Sequence, residues 1–167
     1  DATLRFPDFR AEERTFSLVT QLAGRSGRGA AGGRVIVQTL APEAASIRAA
    51  AEHDSPGVLE GELERRRQLD YPPYSNLVRI TLAFEDETAL EQAAALLSDR
   101  LAGVLPQDST LLGPAPMFRA RGRFRRRLLI KSARREQAIE AVHTELEAML
   151  SERLLRGIVL SVDVDPQ

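Results

Sequence analysis

Apolar and polar residues alternate from Leu77 to Phe84, placing Val78, Ile80, Leu82 and Phe84 on one face, the period-two signature of a half-buried strand. The period then lengthens. Asp86 offers a helix cap, and Leu90, Ala94, Leu97, Leu101 and Val104 recur as the apolar stripe of an amphipathic helix. Strands are expected around 110–119 and 123–132, separated by Gly122. Ser132 is the expected cap of a second helix whose stripe is Ile139, Val142, Leu146 and Leu150. Ile158, Leu160, Val162 and Val164 close the chain with another alternating strand. The order β-α-β-β-α-β predicts an α/β fold of the ferredoxin-like, split βαβ kind, with both helices on one sheet face and the other face open.

The first 74 residues follow a different pattern. Residues 1–10 read as extended, with Asp8 after Pro7 as a cap, and Phe16, Val19 and Leu22 give a helix over Glu12–Leu22. Glycines make 24–33 a loop. Arg34-Val35-Ile36-Val37-Gln38-Thr39 reads as a short strand buried on both faces, as in a parallel sheet. Pro42 is expected at the first position of a helix over roughly 43–53. A charged helix, Leu59 to Leu69, stops at Tyr71-Pro72-Pro73-Tyr74, because consecutive prolines cannot continue it. These patterns divide the chain into 1–54, a linking helix and Pro-Pro boundary over 55–74, and a domain over 75–167.

Composition narrows the chemistry. The 167 residues carry a formal net charge of −1, so only the clustering of arginines points towards an anionic partner. No apolar run is long enough for a membrane span, and the first residues are not a signal peptide, which makes a cytoplasmic setting the expectation. Zero cysteines exclude disulfides and cysteine-ligated zinc within these residues. His53 and His143 lack convergent ligands, so no metal site is expected. Lysine is nearly absent, and no Gly-x-x-x-x-Gly-Lys-Ser/Thr phosphate loop occurs. The chain is therefore expected to be part of a larger enzyme or a non-catalytic module.

Two arginine constellations remain. The first is Gln21-Leu22-Ala23-Gly24-Arg25-Ser26-Gly27-Arg28-Gly29, where glycines permit close backbone approach and arginines offer planar forks for phosphate oxygens. The second is Arg119, Arg121, Arg123, Arg125, Arg126, Arg127 and Lys131. On a strand, Arg123, Arg125, Arg127 and Lys131 share one face, while Phe124, Leu128 and Ile130 share the other with Arg126. Arg79 falls on the basic face by the same alternation. This is a candidate phosphate platform, and the alternative is solvated arginines paired with acids such as Asp163. Base stacking on the sheet is not expected, since Phe84 and Phe124 fall on the core face.

The pattern Gln-x-x-Gly-Arg-x-Gly-Arg resembles the last signature motif of second-superfamily helicases. Its flanks extend the likeness: Leu4-Arg5-Phe6-Pro7-Asp8-Phe9-Arg10 and Glu13-Arg14-Thr15-Phe16 before it, then Gln38-Thr39 and His53-Asp54. With Glu64-Arg65-Arg66-Arg67-Gln68-Leu69-Asp70-Tyr71-Pro72-Pro73-Tyr74-Ser75 and Leu160-Ser161-Val162-Asp163-Val164-Asp165-Pro166-Gln167, the succession resembles the C-terminal part of the PriA family of bacterial replication-restart helicases.

The resemblance implies the end of a RecA-like motor lobe over 1–54, followed by a DNA- and partner-binding domain. It implies Arg28 as an arginine finger, Arg25 as its partner, and Gln21 as the link between nucleotide and lobe closure. It further implies ATP and magnesium in the full-length protein, with zinc only outside this segment. Implied partners are forked and single-stranded DNA, single-strand DNA-binding protein and other primosome or helicase-loading proteins. The chain would be monomeric and nucleoid-associated, within a 3′-to-5′ helicase that restarts replication. A scaffold of helicase ancestry without a working motor is the alternative.

Overall fold

The computed structural model of the chain describes residues 1, 4, 8–26 and 34–166. They fall into two compact units, residues 1–69 and 70–167.

The first unit holds three helices, α1 (Ala11–Ser26), α2 (Ala45–Glu52) and α3 (Ser55–Gln68). Asp8 leads into α1 by accepting the Arg10 amide at 2.9 Å. α1 continues through Gly24, Arg25 and Ser26, so the expected loop does not begin at Gly24. An exposed helical glycine costs only about 1 kcal/mol, too little to end a helix by itself. Pro42 sits in a turn closed by the Ala44 amide on the Ala41 carbonyl (3.1 Å), and α2 starts three residues after it rather than at it. The Asp54 carboxylate caps α3 by accepting the Gly57 amide at 2.9 Å.

Packing here is mostly polar and small. Ala11, Thr15, Ser46, Ala50 and Glu62 are buried. Glu62 accepts from Arg65 and Arg66, both at 2.9 Å, and Arg66 reaches Glu13 on α1 at 2.6 Å. The expected strand over 34–39 does not form: it pairs with no strand among the described residues, and Ile36 is 81% exposed. A strand buried on both faces needs neighbours for its backbone groups and coverage for its side chains, and the described residues supply neither. Nor do residues 1–54 form a RecA-like lobe, since the chain's one described sheet lies wholly in the second unit.

The second unit follows the expected element order: β1 (Asn76–Phe84), α4 (Glu87–Val104), β2 (Thr110–Ala120), β3 (Arg123–Ser132), α5 (Arg135–Ser151) and β4 (Val159–Val164). The sheet is antiparallel throughout, in the order β2-β3-β1-β4. This is the split βαβ arrangement, with β1 and β3 at the centre.

The helices pack against one face. Val78, Ile80 and Leu82 from β1 and Leu128 and Ile130 from β3 are buried with Leu90, Ala94, Leu97 and Leu101 of α4 and Ala138, Val142, Leu146 and Met149 of α5. Each fully buried large aliphatic side chain contributes about 1.5–3 kcal/mol through water exclusion, which makes this cluster the main source of stability. The Asp86 carboxylate caps α4, accepting the Ala89 amide at 3.0 Å.

Three expectations shift here. Leu150 is exposed and Met149 takes its place in the stripe, because the position three residues past Leu146 lies nearer the buried face than the position four past it. Val104 is likewise exposed, in the last turn of α4. Ser132 ends β3 rather than capping α5: its hydroxyl oxygen accepts the Arg134 amide at 3.1 Å, while Arg134 occupies the cap position without a side-chain bond. At Gly113 the β2 register shifts, and a Cβ there would sit 2.4 Å from the Arg127 carbonyl oxygen, so only glycine fits.

Candidate nucleic-acid interface

Gln21 and Arg25 lie one helical turn apart on α1, both exposed, and Arg25 is in the last turn, where a cation suits the helix dipole. Arg28, with Gly27 and Gly29, lies outside the described residues. Among the described residues no group of three or more acids and histidines gathers as a metal site. His53 ends α2 in the left-handed region, and His143 pairs with Glu147 at 3.3 Å on the surface of α5.

The basic constellation belongs to the second unit, and the strand register sorts it. β3 pairs with β1 so that Arg125 faces Ala83, Arg127 faces Thr81 and Leu129 faces Arg79. On its other side Arg125 meets Met117 and Arg127 meets Ala115. Directly opposed residues project to the same sheet face, so these form rows on the face away from the helices. Of the four residues directly opposite them, Ala83, Thr81 and Ala115 are small and Met117 is long. Arg125 and Arg127 are half-buried, and neither has a carboxylate partner among the described residues. Arg123 lies 3.8 Å from Glu85, a loose pair.

The other basic residues are engaged. Arg79 is held by Asp163 on the neighbouring β4, with Nη2–Oδ2 at 2.9 Å. Lys131 shares the face by register but is only 8% exposed, with its ammonium 3.7 Å from the centroid of the Tyr71 ring. Burial pushes the Lys131 ammonium below the usual lysine value, against the pull of Asp70. Leu77, opposite Lys131, is buried as well, so this end of the face is covered. The open part is the end that carries Arg125 and Arg127.

Arg126 points towards the helices. Its Nη2 donates to Glu87 at 2.9 Å and its Nε donates to Glu91, one turn further along α4. The Glu87 hydrogen bond does most to raise its pKa, burial opposes it, and Glu91 adds to the rise. We expect Arg126→Gln to lower stability by about 1–2 kcal/mol, below the full value of two charged hydrogen bonds because both carboxylates are half in water. Urea denaturation checks this, and an unchanged midpoint would mean that the pair contributes nothing.

Arg121 and Gly122 connect β2 to β3 as a two-residue turn, with φ of 49° and 78°. Left-handed conformations at both positions match the type I′ geometry that suits the twist of a hairpin. Arg119 folds back on this turn, donating from Nε and Nη2 to the Gly122 carbonyl at 3.0 and 2.8 Å, with its guanidinium 4.4 Å from the Phe124 ring centroid. Phe124 and Phe84 face each other across β3 and β1 and pack against the core, as the alternation implied.

Sequence reading missed Phe118, which is 94% exposed at the end of this hairpin. The signal was present in its position: an aromatic residue one past Met117 and next to Arg119, in a segment without acidic residues, where the strand register shifts.

Residues 67–167 match the family model described as the primosomal protein N C-terminal domain. Over 99% of its length the chain is 33% identical to the replication restart protein PriA of Bacillus subtilis, and 36% identical to those of Synechocystis and Thermotoga maritima. The chain spans about a fifth of the length of these curated relatives, 21%, 20% and 21% respectively.

Proposed function

Because this chain belongs to the PriA family, as its C-terminal part, we propose that its second unit holds the sugar-phosphate backbone of DNA on the open sheet face during replication restart. The observation that carries this reading is the pair Arg125 and Arg127. They are two residues apart on one face of a central strand, with Ala83 and Met117 opposite the first and Thr81 and Ala115 opposite the second, and without a carboxylate partner among the described residues. From Thr110 to Ser132 the chain contains no acidic residue at all. Guanidinium groups presented this way bind phosphate oxygens in sequence-independent fashion, by charge and paired donors. No aromatic ring joins them in their rows, so the face grips backbone rather than reading bases.

The first unit then serves the motor. Its exposed Leu18, Leu22, Leu59 and Leu63 are positions that further parts of a helicase lobe would cover. Gln21 and Arg25 are accessible to the phosphates of ATP bound with magnesium, although the described residues include no loop that cradles phosphates; Arg28 would complete that set. In the whole protein this arrangement belongs to a 3′-to-5′ helicase acting at stalled forks. A basic surface also suits the acidic tail of single-strand DNA-binding protein.

The test is direct. Fluorescence anisotropy of the 167-residue chain with labelled duplexes of unrelated sequence should give affinities equal within about threefold, falling steeply with salt. Strong preference for one sequence, or no binding in low salt, would overturn the reading.

A further inference from the structure

We infer that the tip of the β2–β3 hairpin is a stacking site for an unpaired nucleobase, with Phe118 as the platform. This rests on the reading of the adjacent sheet face as a phosphate-binding surface and adds a second, chemically distinct contact. A phenylalanine that is 94% exposed forfeits almost all the water exclusion its ring could gain by folding. Its mount is stiff. Arg119, the next residue, is pinned to the turn by two hydrogen bonds and stacked on Phe124, and the turn itself is the tight two-residue kind. An exposed ring therefore stands next to Arg119 in the chain, on a braced hairpin that also carries Arg121, Arg123, Arg125 and Arg127.

Charge and backbone chemistry select the occupant. A hairpin with no acidic residue favours a polyanion, and a polyanion with apolar π-faces is a single-stranded nucleic acid. A protein strand adding to the edge is disfavoured: β2 is an edge strand, but Pro114 and Pro116 lack the amides such pairing needs, and its register shifts twice. The preferred substrate is a strand whose backbone runs over Arg125 and Arg127 and whose unpaired base turns onto Phe118. That geometry occurs where duplex gives way to single strand.

The chain has no tryptophan, so Phe118→Trp places a single indole at the tip. Oligo-dT should quench its emission on binding, while an abasic oligonucleotide of equal length should bind without quenching it. In parallel, Phe118→Ala should weaken oligo-dT binding by roughly 5- to 100-fold, with an unchanged salt slope and unchanged binding of the abasic strand. The side chain touches little in the folded protein, so the variant should unfold at the wild-type midpoint. Equal losses on the two strands, or no loss on oligo-dT, would overturn stacking while leaving the phosphate surface standing. Failure of the wild type to bind even the abasic strand would overturn both.

Discussion

In the intact protein, Arg28→Ala should reduce DNA-stimulated ATP turnover by roughly 10³- to 10⁵-fold while nucleotide binding stays close to wild type. The size follows from where charge builds up. As the γ-phosphoryl group leaves, negative charge accumulates on its oxygens, and a guanidinium delivered from a second lobe neutralises that charge in a site with little water. The same guanidinium has little to neutralise in the ground state, so its loss appears in turnover and not in affinity. Steady-state hydrolysis and equilibrium binding of a fluorescent nucleotide separate the two. Turnover within tenfold of wild type would remove Arg28 from this role.

The second large effect concerns Arg125 and Arg127. Replacing both with glutamine keeps most of the side-chain stems and the strand and would remove the two proposed phosphate contacts. With a salt dependence of about 0.9 log units per contact and little electrostatic binding left near 1 M, each contact is worth roughly tenfold in affinity at 50 mM. The double variant should therefore bind about a hundredfold more weakly, and equally so for every duplex sequence. Arg79→Gln should cost much less, because Asp163 already neutralises that guanidinium. Anisotropy titrations on two unrelated duplexes check both statements. A loss confined to one sequence would mean that these side chains reach base edges.

How much of this was legible in the chain depended on whether a residue's partners are local. The β-α-β-β-α-β order, the Asp86 cap and the opposite faces of Arg125 and Arg126 follow from periods of two and 3.6, which act over a few residues. The basic face was thus legible as one face of a strand. Its extent was not. Lys131 lies on the right face, yet Tyr71, some sixty positions away, covers it, and nothing in the alternation signals that cover. Arg79 shows the same limit in a milder form, since Asp163 becomes its neighbour only through the β1–β4 pairing.

Residues 34–39 failed for the converse reason. Their composition favours a strand, but strand formation is decided by a neighbouring backbone, and none pairs with them among the described residues. Phe118 escaped because alternation assigns faces only within regular pairing, and the register shifts between Met117 and Ala120. Helix α1 ran past Gly24 because one glycine weakens a helix without stopping it.

The central claim is that Arg125 and Arg127 neutralise DNA phosphates, and the salt dependence of binding measures it most directly. The 167-residue chain and its Arg125→Gln/Arg127→Gln variant would be titrated with one short labelled DNA at several salt concentrations between about 50 and 200 mM. The slope of log affinity against log salt should be shallower in the variant by about 1.8 for a duplex and about 1.4 for a single strand. Parallel lines, with the variant merely displaced or unchanged, would contradict the account, because two lost phosphate contacts cannot leave the counterions released on binding the same.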